Sequence, residues 1–341
     1  MVACAGGGTP SPAPPAPPSA DATGGAGTGG ASPTTPAAPA RIAVVYATTS
    51  TGNSNFQLAQ DQGIYRQNGL EVEHSTLPPP TIPAALFTNQ AQFSVSACAG
   101  MIEAVAANND LVLLATVAPR LQYMFAAGPG VTRPEDLKGK RLAVSRLGSG
   151  VDMAARYMLR YIGVDPADVT FVQVGGTPER YGALVGGSAD AAILSSEEGV
   201  FLANQDGFNV IVDMAEAPVP YCNQGVIAMR QYVQDNPDVV RRFMRALVES
   251  IARFKQNRQE ATDAVEAIAS RDDPAKIEHL RDAWARIYPA KPYPDLAGLR
   301  FVLDELAAAD PRLAPLDAEH MIEPRFIREL DESGAIDRLY Q

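Results

Sequence analysis

The stretch Ile42-Ala43-Val44-Val45-Tyr46 decides the fold class, because it is the first apolar, β-branched run after a long leader of small residues and proline. Short runs of this kind are typical of strands buried in a parallel sheet. A polar loop follows at 47–55, then a predicted helix at 56–65 and a second predicted strand at 70–73. Further helices are predicted at 82–88 and 98–107, and further strands at 92–96 and 111–117. This alternation with short connections predicts an α/β fold with a mainly parallel sheet.

The alternation starts again after Pro119-Arg120 and gives a second α/β unit of about 100 residues, within the usual size of a compact unit. Its predicted strands and helices are strands 123–127, 141–144, 169–174, 191–194 and 210–213, and helices 153–162, 179–185 and 199–205. Beyond it the chain gives one strand at 225–229 and then helices, among them 240–254, 277–287, 296–308 and 326–333. We expect that strand to return to the first sheet. The predicted organisation is therefore one lobe from residues 41–120 plus 223–341 and another from 121–222.

Residues 1–40 differ in kind from the rest. The opening Met1-Val2-Ala3-Cys4 resembles the bacterial lipobox, whose cysteine receives a lipid, although a full signal has a basic start and an apolar run before it. From Gly6 to Ala40 the chain holds 9 Pro and 8 Gly, which leaves little apolar surface to offset the entropy of ordering. We interpret residues 1–40 as the remnant of a lipoprotein signal followed by a disordered tether. This predicts lipid on Cys4 and anchoring in the periplasm or at the cell surface.

Composition excludes some classes of function. The net charge of -11 argues against a nucleic-acid partner, which needs clustered lysine and arginine. No stretch reaches the about 18 apolar residues of a membrane span. The three histidines are scattered, so we expect no metal, and no motif predicts a cofactor or a catalytic group. Cys98 and Cys222 could form a disulfide in an oxidising compartment, but nothing in their spacing supports it.

Four short motifs, in a fixed order, carry a resemblance to a known family. They are QGIYRQNGLEVE at 62–73, DLKGKRLAV at 136–144, Gly148-Ser149, and GSADAA at 187–192. In this order they resemble the nitrate/sulfonate/taurine and thiamine-precursor binding proteins of bacterial ABC importers. The resemblance covers about residues 42–257. It implies a type II periplasmic-binding-protein fold, in which two α/β lobes, joined by two crossing strands, close on a ligand. It also implies a membrane permease as partner, and we expect a monomer.

The loops at the carboxyl ends of the strands supply the candidate ligand-binding residues, because ligands of open parallel sheets bind there. They offer hydroxyl and amide groups, glycines that allow close approach, an arginine for an anion and a glutamate for an amine. The candidates in these loops are Thr49, Ser50, Asn53, Ser96, Cys98, Arg146, Ser149, Gly150 and Glu197. Tyr123 and Asn223 are added because they are expected at the crossing strands, where they would flank the cleft. Ser149 fits the role of a helix N-cap equally well, and Thr177 is predicted to be an N-cap.

The leading hypothesis is a binding protein without enzymatic activity that takes a small organic anion such as a sulfonate or carboxylate. These loops contain few basic residues, so a neutral heteroaromatic such as a thiamine precursor or flavin stays an alternative. A pyrimidine-synthesis enzyme on the same fold is a less favoured one, because the chain has no cysteine cluster and His74 is the only histidine in the first lobe. A surface sensor or adhesive protein without a permease is the remaining class.

Overall fold

The structure is a computed structural model that describes residues 38–147, 149–196, 199, 208–269 and 273–341. The described strands are β1 Ala40–Tyr46, β2 Leu70–Thr76, β3 Phe93–Ala97, β4 Leu111–Ala118, β5 Tyr123–Ala127, β6 Arg141–Val144, β7 Thr170–Gln173, β8 Ala191–Ser195, β9 Asn209–Asp213 and β10 Gln224–Met229. The described helices are α1 Ser54–Asp61, α2 Ile64–Gln67, α3 Ile82–Phe87, α4 Cys98–Ala106, α5 Gly150–Tyr161, α6 Thr177–Val185, α7 Arg230–Asp235, α8 Pro237–Gln256, α9 Arg258–Ile268, α10 Pro274–Ile287, α11 Leu296–Ala309, α12 Arg325–Glu332 and α13 Ala335–Arg338.

The first sheet has the strand order β2-β1-β3-β10-β4. β1 runs parallel to both β2 and β3, whereas β10 runs antiparallel to β3 and β4. Four strands therefore point in one direction and β10 opposes them. Parallel strands in register place their carboxyl ends at one edge, so Tyr46 and Thr76, which pair directly, end side by side. The polar loop that follows β1 begins at that edge.

The second sheet repeats this arrangement with the strand order β7-β6-β8-β5-β9. β6 is parallel to β7 and β8, and β5 is the reversed strand between β8 and β9. The predicted α/β fold with two mainly parallel sheets is therefore confirmed. The predicted helix at 199–205 lies, apart from Gly199, outside the described residues.

Two segments connect the sheets, residues 119–122 after β4 and 214–223 before β10. The second segment is tied to the first sheet's helices by a disulfide between Cys98, at the start of α4, and Cys222. Both cysteines are buried among apolar side chains of α3, α4 and α11. The sequence left this pairing open, because 124 residues separate the two cysteines and only the fold brings them together.

The predicted helix at 56–65 is two helices, α1 and α2, because Gly63 adopts a left-handed conformation with φ 66° and interrupts the hydrogen-bond ladder.

Within the described ranges, no helix combines the length and the apolar character needed to cross a membrane.

Candidate functional site

A polar pocket opens at the carboxyl ends of β1 and β2. Its volume is about 160 Å³, and its lining is Tyr46, Thr48, Thr49, Ser50, Asn53, Gln57, His74, Ser75, Thr76 and Ile268. Three of the predicted ligand residues, Thr49, Ser50 and Asn53, meet here. None of the ten lining side chains is a lysine, arginine or carboxylate. The pocket offers hydroxyl, amide and imidazole groups to a ligand.

Side-chain hydrogen bonds hold the loop that forms one wall of this pocket. Ser50 Oγ accepts from the backbone N–H of Gly52 at 3.1 Å and caps the short helix at Thr51–Asn53. The amide of Asn53 donates to the carbonyl of Thr48 at 3.1 Å and accepts from Gln224 Nε2 of β10 at 3.1 Å. Asn53 is therefore fixed from both sides, and Thr49 is left exposed at the tip.

Two aromatic residues, Trp284 of α10 and Tyr288 directly after it, form hydrogen bonds with the same loop. Trp284 Nε1 donates to Thr51 Oγ1 at 3.0 Å, and the hydroxyl of Tyr288 donates to the carbonyl of Gly52 at 3.1 Å. The two rings stack at 5.4 Å between centroids and are almost completely buried. A Cβ atom on Gly52 would lie 2.8 Å from Trp284 Cη2, so glycine is required by the close approach of this ring.

His74 and Tyr46 form the inner wall of the polar pocket. Their rings stack at 5.5 Å between centroids, and the Tyr46 hydroxyl lies 2.5 Å from His74 Nδ1. Burial lowers the pKa of His74 to about 4, against a smaller opposite effect of Asp61. Burial likewise raises the pKa of Tyr46 well above its usual value. Both groups are therefore neutral at pH 7.

Residues 145–147, 149 and 150 follow β6 at the edge of the second sheet. Ser149 Oγ accepts from the backbone N–H of Asp152 at 3.3 Å and lies 2.9 Å from Ser145 Oγ, so Ser149 is the N-cap of α5. Gly150 is the first residue of that helix, and Arg146 is exposed beside it. The capping role predicted for Ser149 is confirmed. Its contact with a ligand stays a prediction.

Arg180 is a functional candidate that the sequence did not single out. Its guanidinium is almost completely buried and donates to the carbonyls of Ile193 and Gly175, at 2.5 Å each, and to Thr177 Oγ1 at 3.0 Å. All three partners are uncharged, so a buried positive charge lies at the carboxyl edge of the second sheet. Thr177 is not the N-cap of α6 as predicted. Gly176 occupies that position, because the threonine hydroxyl is engaged by Arg180.

The remaining predicted residues lie near the two connections. Tyr123 opens β5 and pairs with Ser195 of β8, and the backbone N–H of Asn223 donates to the carbonyl of Ala118 at 3.1 Å. The predicted ligand contact of Cys98 is wrong for its side chain, because that sulfur is fully buried and bonded to Cys222. Glu197 and Cys4 lie outside the described residues.

Two of the other candidates, Ser96 and Gly150, line cavities that are distinct from the polar pocket. Ser96 lines an apolar pocket of about 100 Å³ between the first sheet and helices α3 and α4. Gly150 lines a cavity of about 170 Å³ between α4, α5 and α11, which we call the bridging cavity. The structure thus gathers three predicted residues into the polar pocket and distributes Ser96 and Gly150 elsewhere.

Asp213, at the end of β9, and Arg286 of α10 are close enough for their charges to interact. Burial raises the pKa of Asp213 at the end of β9, and the positive charge of Arg286 in α10 is among the effects that oppose this rise. Within the described ranges, no group of three or more His, Cys, Asp and Glu side chains could hold a metal ion.

Several residues that line the polar pocket or support its loop were missed in the sequence for identifiable reasons. Ser75 and Thr76 end a strand next to β1, so the rule for strand ends could have found them once that pairing was assumed. Trp284, Tyr288 and Gln224 are more than 150 positions away from the loop they support. Only the fold reveals such contacts.

Comparisons with known proteins agree with this architecture. The structure matches a putative periplasmic sulfonate-binding protein, SsuA, of Methylobacillus flagellatus with a TM-score of 0.69 and 19% identity, covering 87% of this chain and 95% of that one. It matches the aliphatic sulphonate binding protein SsuA of Escherichia coli at 0.68 and 18%, covering 85% and 99%. It matches the nitrate-binding protein NrtA of Synechocystis at 0.64 and 14%, covering 86% and 89%.

These neighbours share the periplasmic-binding-protein fold, so they independently confirm the predicted fold class. A comparison with curated protein sequences gives no match. The family model described as NMT1/THI5 like matches residues 51–261, which is more than half of the chain and includes both connections and all the described strands except β1. The protein therefore belongs to the NMT1/THI5-like family.

Proposed function

We propose that this protein is the ligand-binding subunit of an ABC importer and performs no chemistry on its ligand. The observation that carries the proposal is the polar pocket at the carboxyl ends of β1 and β2, in a fold of two α/β sheets joined by two connections. Ligands of open α/β sheets bind at such strand ends. The structural neighbours named for sulfonate and nitrate binding support the same role.

Closure between two lobes is part of the proposal. Residues 41–120 plus 223–341 form one lobe and 121–222 the other, with hinges at the connections 119–122 and 214–223. The strands support this division, since those of the first sheet come from 40–118 and 224–229 and those of the second from 123–213.

The proposed ligand is a small organic anion of the sulfonate or carboxylate type, held by neutral donors. The pocket supplies the hydroxyls of Thr48, Thr49 and Ser50, and no carboxylate is among its lining side chains. In the second sheet, the buried guanidinium of Arg180 adds a positive charge. Hydroxyl and backbone donors bind a desolvated anion by charge-assisted hydrogen bonds.

A neutral heteroaromatic ligand is the second candidate, and one observation favours it. The stacked rings of Tyr46 and His74 border a pocket without charged side chains. A flat ring with hydrogen-bonding edges, such as a thiamine precursor, fits that combination of a ring wall and hydroxyl groups.

The proposed location is the periplasm or the cell surface, with a lipid on Cys4. The disulfide Cys98–Cys222 supports an oxidising compartment, where such bonds persist. Mass spectrometry of protein extracted from native membranes should find diacylglycerol on Cys4. Unmodified protein in the cytosol would contradict the anchor and leave the binding role to be tested separately.

The ligand proposal is tested by a thermal-shift screen followed by calorimetry. The panel contains butanesulfonate, taurine, nitrate, benzoate, a hydroxymethyl-pyrimidine and riboflavin. Binding at a hundred times Kd stabilises the folded state by about 2.7 kcal/mol, which is easily measured. We expect an anion to bind and the radius of gyration to fall as the lobes close.

Thr49→Val tests the placement of the ligand, because it removes an exposed hydroxyl and preserves the side-chain shape. The loss of one hydrogen bond to a desolvated ligand weakens binding about five- to a hundredfold. Thr170→Val, at an exposed threonine where β7 begins, is the matched control and should leave affinity unchanged. Equal affinity in both variants would contradict the placement of the ligand in the polar pocket. If no member of the panel binds, neither proposed ligand class is supported.

A further inference from the structure

The bridging cavity is separate from the polar pocket and shares none of its lining residues. It lies between α4 and α11, whose side chains belong to a core of the first sheet, and α5, whose side chains belong to a core of the second. Leu121 and Tyr221, one from each connection, complete its wall. A molecule bound here would contact both α/β units at once.

Three aromatic rings dominate the wall of this cavity. Tyr157 of α5 and Phe301 of α11 meet edge to face, with 4.8 Å between ring centroids, and Tyr221 lies 6.0 Å from Phe301. All three side chains are only partly buried, so ring surface is available to a ligand. Aromatic faces attract cations through the negative potential of the ring.

The charged groups that line the cavity are two carboxylates. Glu305 forms an ion pair with Arg160 at 2.7 Å, and Glu103 is exposed at the mouth and, within the described part of the chain, has no hydrogen bond or ion pair. Burial, and to a lesser extent the charge of Glu305, raises the pKa values of Tyr157 and Tyr221, so both hydroxyls stay neutral. No lysine or arginine is among the lining residues.

We propose that the bridging cavity binds an organic ammonium ion with an apolar body, held by the three rings and by Glu103. Carboxylates repel an anion, and a purely apolar ligand gains nothing from them. Aromatic walls together with an unpaired carboxylate match an alkylated or aryl ammonium group. The volume of about 170 Å³ far exceeds the about 15 Å³ that one water needs, so a small organic cation has room. This inference goes beyond the proposed function, because it concerns a different site and a ligand of opposite charge.

The test uses benzyltrimethylammonium as the cation and benzenesulfonate as its anionic counterpart, with the full chain. Binding is followed by calorimetry and by the NMR signal of the Met153 methyl group, which lies in the cavity wall. Met153→Leu assigns that signal. We expect the cation to bind and to shift the Met153 signal, and the anion to leave that signal unchanged.

Glu103→Gln and Phe301→Leu test the two parts of the recognition. Each should weaken binding of the cation about five- to tenfold, as expected for the loss of one ion pair or one cation–π contact. Glu73→Gln is the matched control, because it removes one negative charge from an exposed position on β2.

Three outcomes would overturn the proposal: no binding of the cation, an equal shift of the Met153 signal by benzenesulfonate, or an equal loss of affinity in Glu73→Gln and Glu103→Gln. The test is independent of the importer role. Glu103→Gln should leave anion binding at the polar pocket unchanged, and Thr49→Val should leave cation binding unchanged.

Discussion

At the scale of single residues, His74 shows how the polar pocket is coupled to the core. Its Nδ1 meets the hydroxyl of Tyr46, its ring lies 5.5 Å from those of both Tyr46 and Tyr65, and its Nε2 is buried. An imidazole in this position is costly to protonate, because a new charge would be desolvated. The pocket therefore keeps a neutral wall at physiological pH.

This arrangement makes folding stability depend on pH in a defined direction. The pKa of His74 falls from 6.5, its usual value, to about 4 in the folded protein. Below pH 6.5 the unfolded chain binds a proton that the folded chain does not, so stability is lost as the pH falls towards 4. The loss attributable to this residue is at most about 3 kcal/mol.

Urea unfolding of the wild type and of His74→Gln at pH 7, 6, 5 and 4.5 measures this effect. Glutamine does not titrate, so the free energy of unfolding of the variant should fall less steeply with decreasing pH than that of the wild type. His320→Gln replaces an exposed histidine and should follow the wild-type curve. Parallel curves for the wild type and His74→Gln would show that the protonation of His74 does not affect the free energy of unfolding.

At the scale of elements, the loop 47–53 and helix α10 form one unit although more than 200 residues separate them. Gly52 lies against the buried indole of Trp284, which also donates a hydrogen bond to Thr51. The shape of the polar pocket therefore depends on a helix that contributes no side chain to its lining.

Gly52→Ala should distort this contact, because the added methyl group would lie 2.8 Å from Trp284 Cη2 and neither side can move freely in a packed core. We expect a loss of about 1–3 kcal/mol in the free energy of unfolding, as for other overpacked cores. In Gly52→Ala/Trp284→Phe, the smaller ring leaves space, so the two changes should cost less together than the sum of the single variants. Chemical denaturation of the four proteins provides the coupling energy.

Gly182→Ala is the control for this cycle. Gly182 lies inside α6, and apart from its chain neighbours and the backbone of its own helix, no described atom comes within 4 Å of the position of its added Cβ. Its replacement should be neutral or should stabilise the helix by up to about 1 kcal/mol. An equal cost for Gly52→Ala and Gly182→Ala, or strictly additive effects in the cycle, would refute the steric explanation.

The same contrast explains what the sequence could and could not predict. Local patterns of apolar residues predict the strands of both sheets, including the strand at 225–229 that returns to the first sheet. A local pattern also indicates the N-cap at Ser149. Such patterns act over a few residues. The contacts of Gly52 with Trp284, of Asn53 with Gln224 and of Cys98 with Cys222 join distant segments, and no local pattern encodes them.

At the scale of the whole molecule, the two connections differ in how they are held. The second, 214–223, is covalently joined to α4 through Cys222, and the backbone around Cys222 packs closely against Gly298 of α11. The first, 119–122, is held by hydrogen bonds, among them those from Arg120 to the carbonyl of Ala217 and from Gln122 Nε2 to the carbonyl of Arg120. The disulfide should therefore act mainly on the second connection.

Cys98→Ala/Cys222→Ala removes this link and keeps small apolar side chains in the core. A disulfide that closes a long loop contributes about 2–5 kcal/mol, so the free energy of unfolding should fall by that amount. Hydrogen exchange under native conditions locates the effect, because local opening has its own free energy. Amide protection should fall in residues 214–223 and stay near the wild-type level in β6, which is paired with β7 and β8 in the second sheet and serves as the internal control. Equal losses in both segments would mean that the disulfide stabilises the molecule only globally, and unchanged protection in 214–223 would contradict its role as the anchor of the second connection.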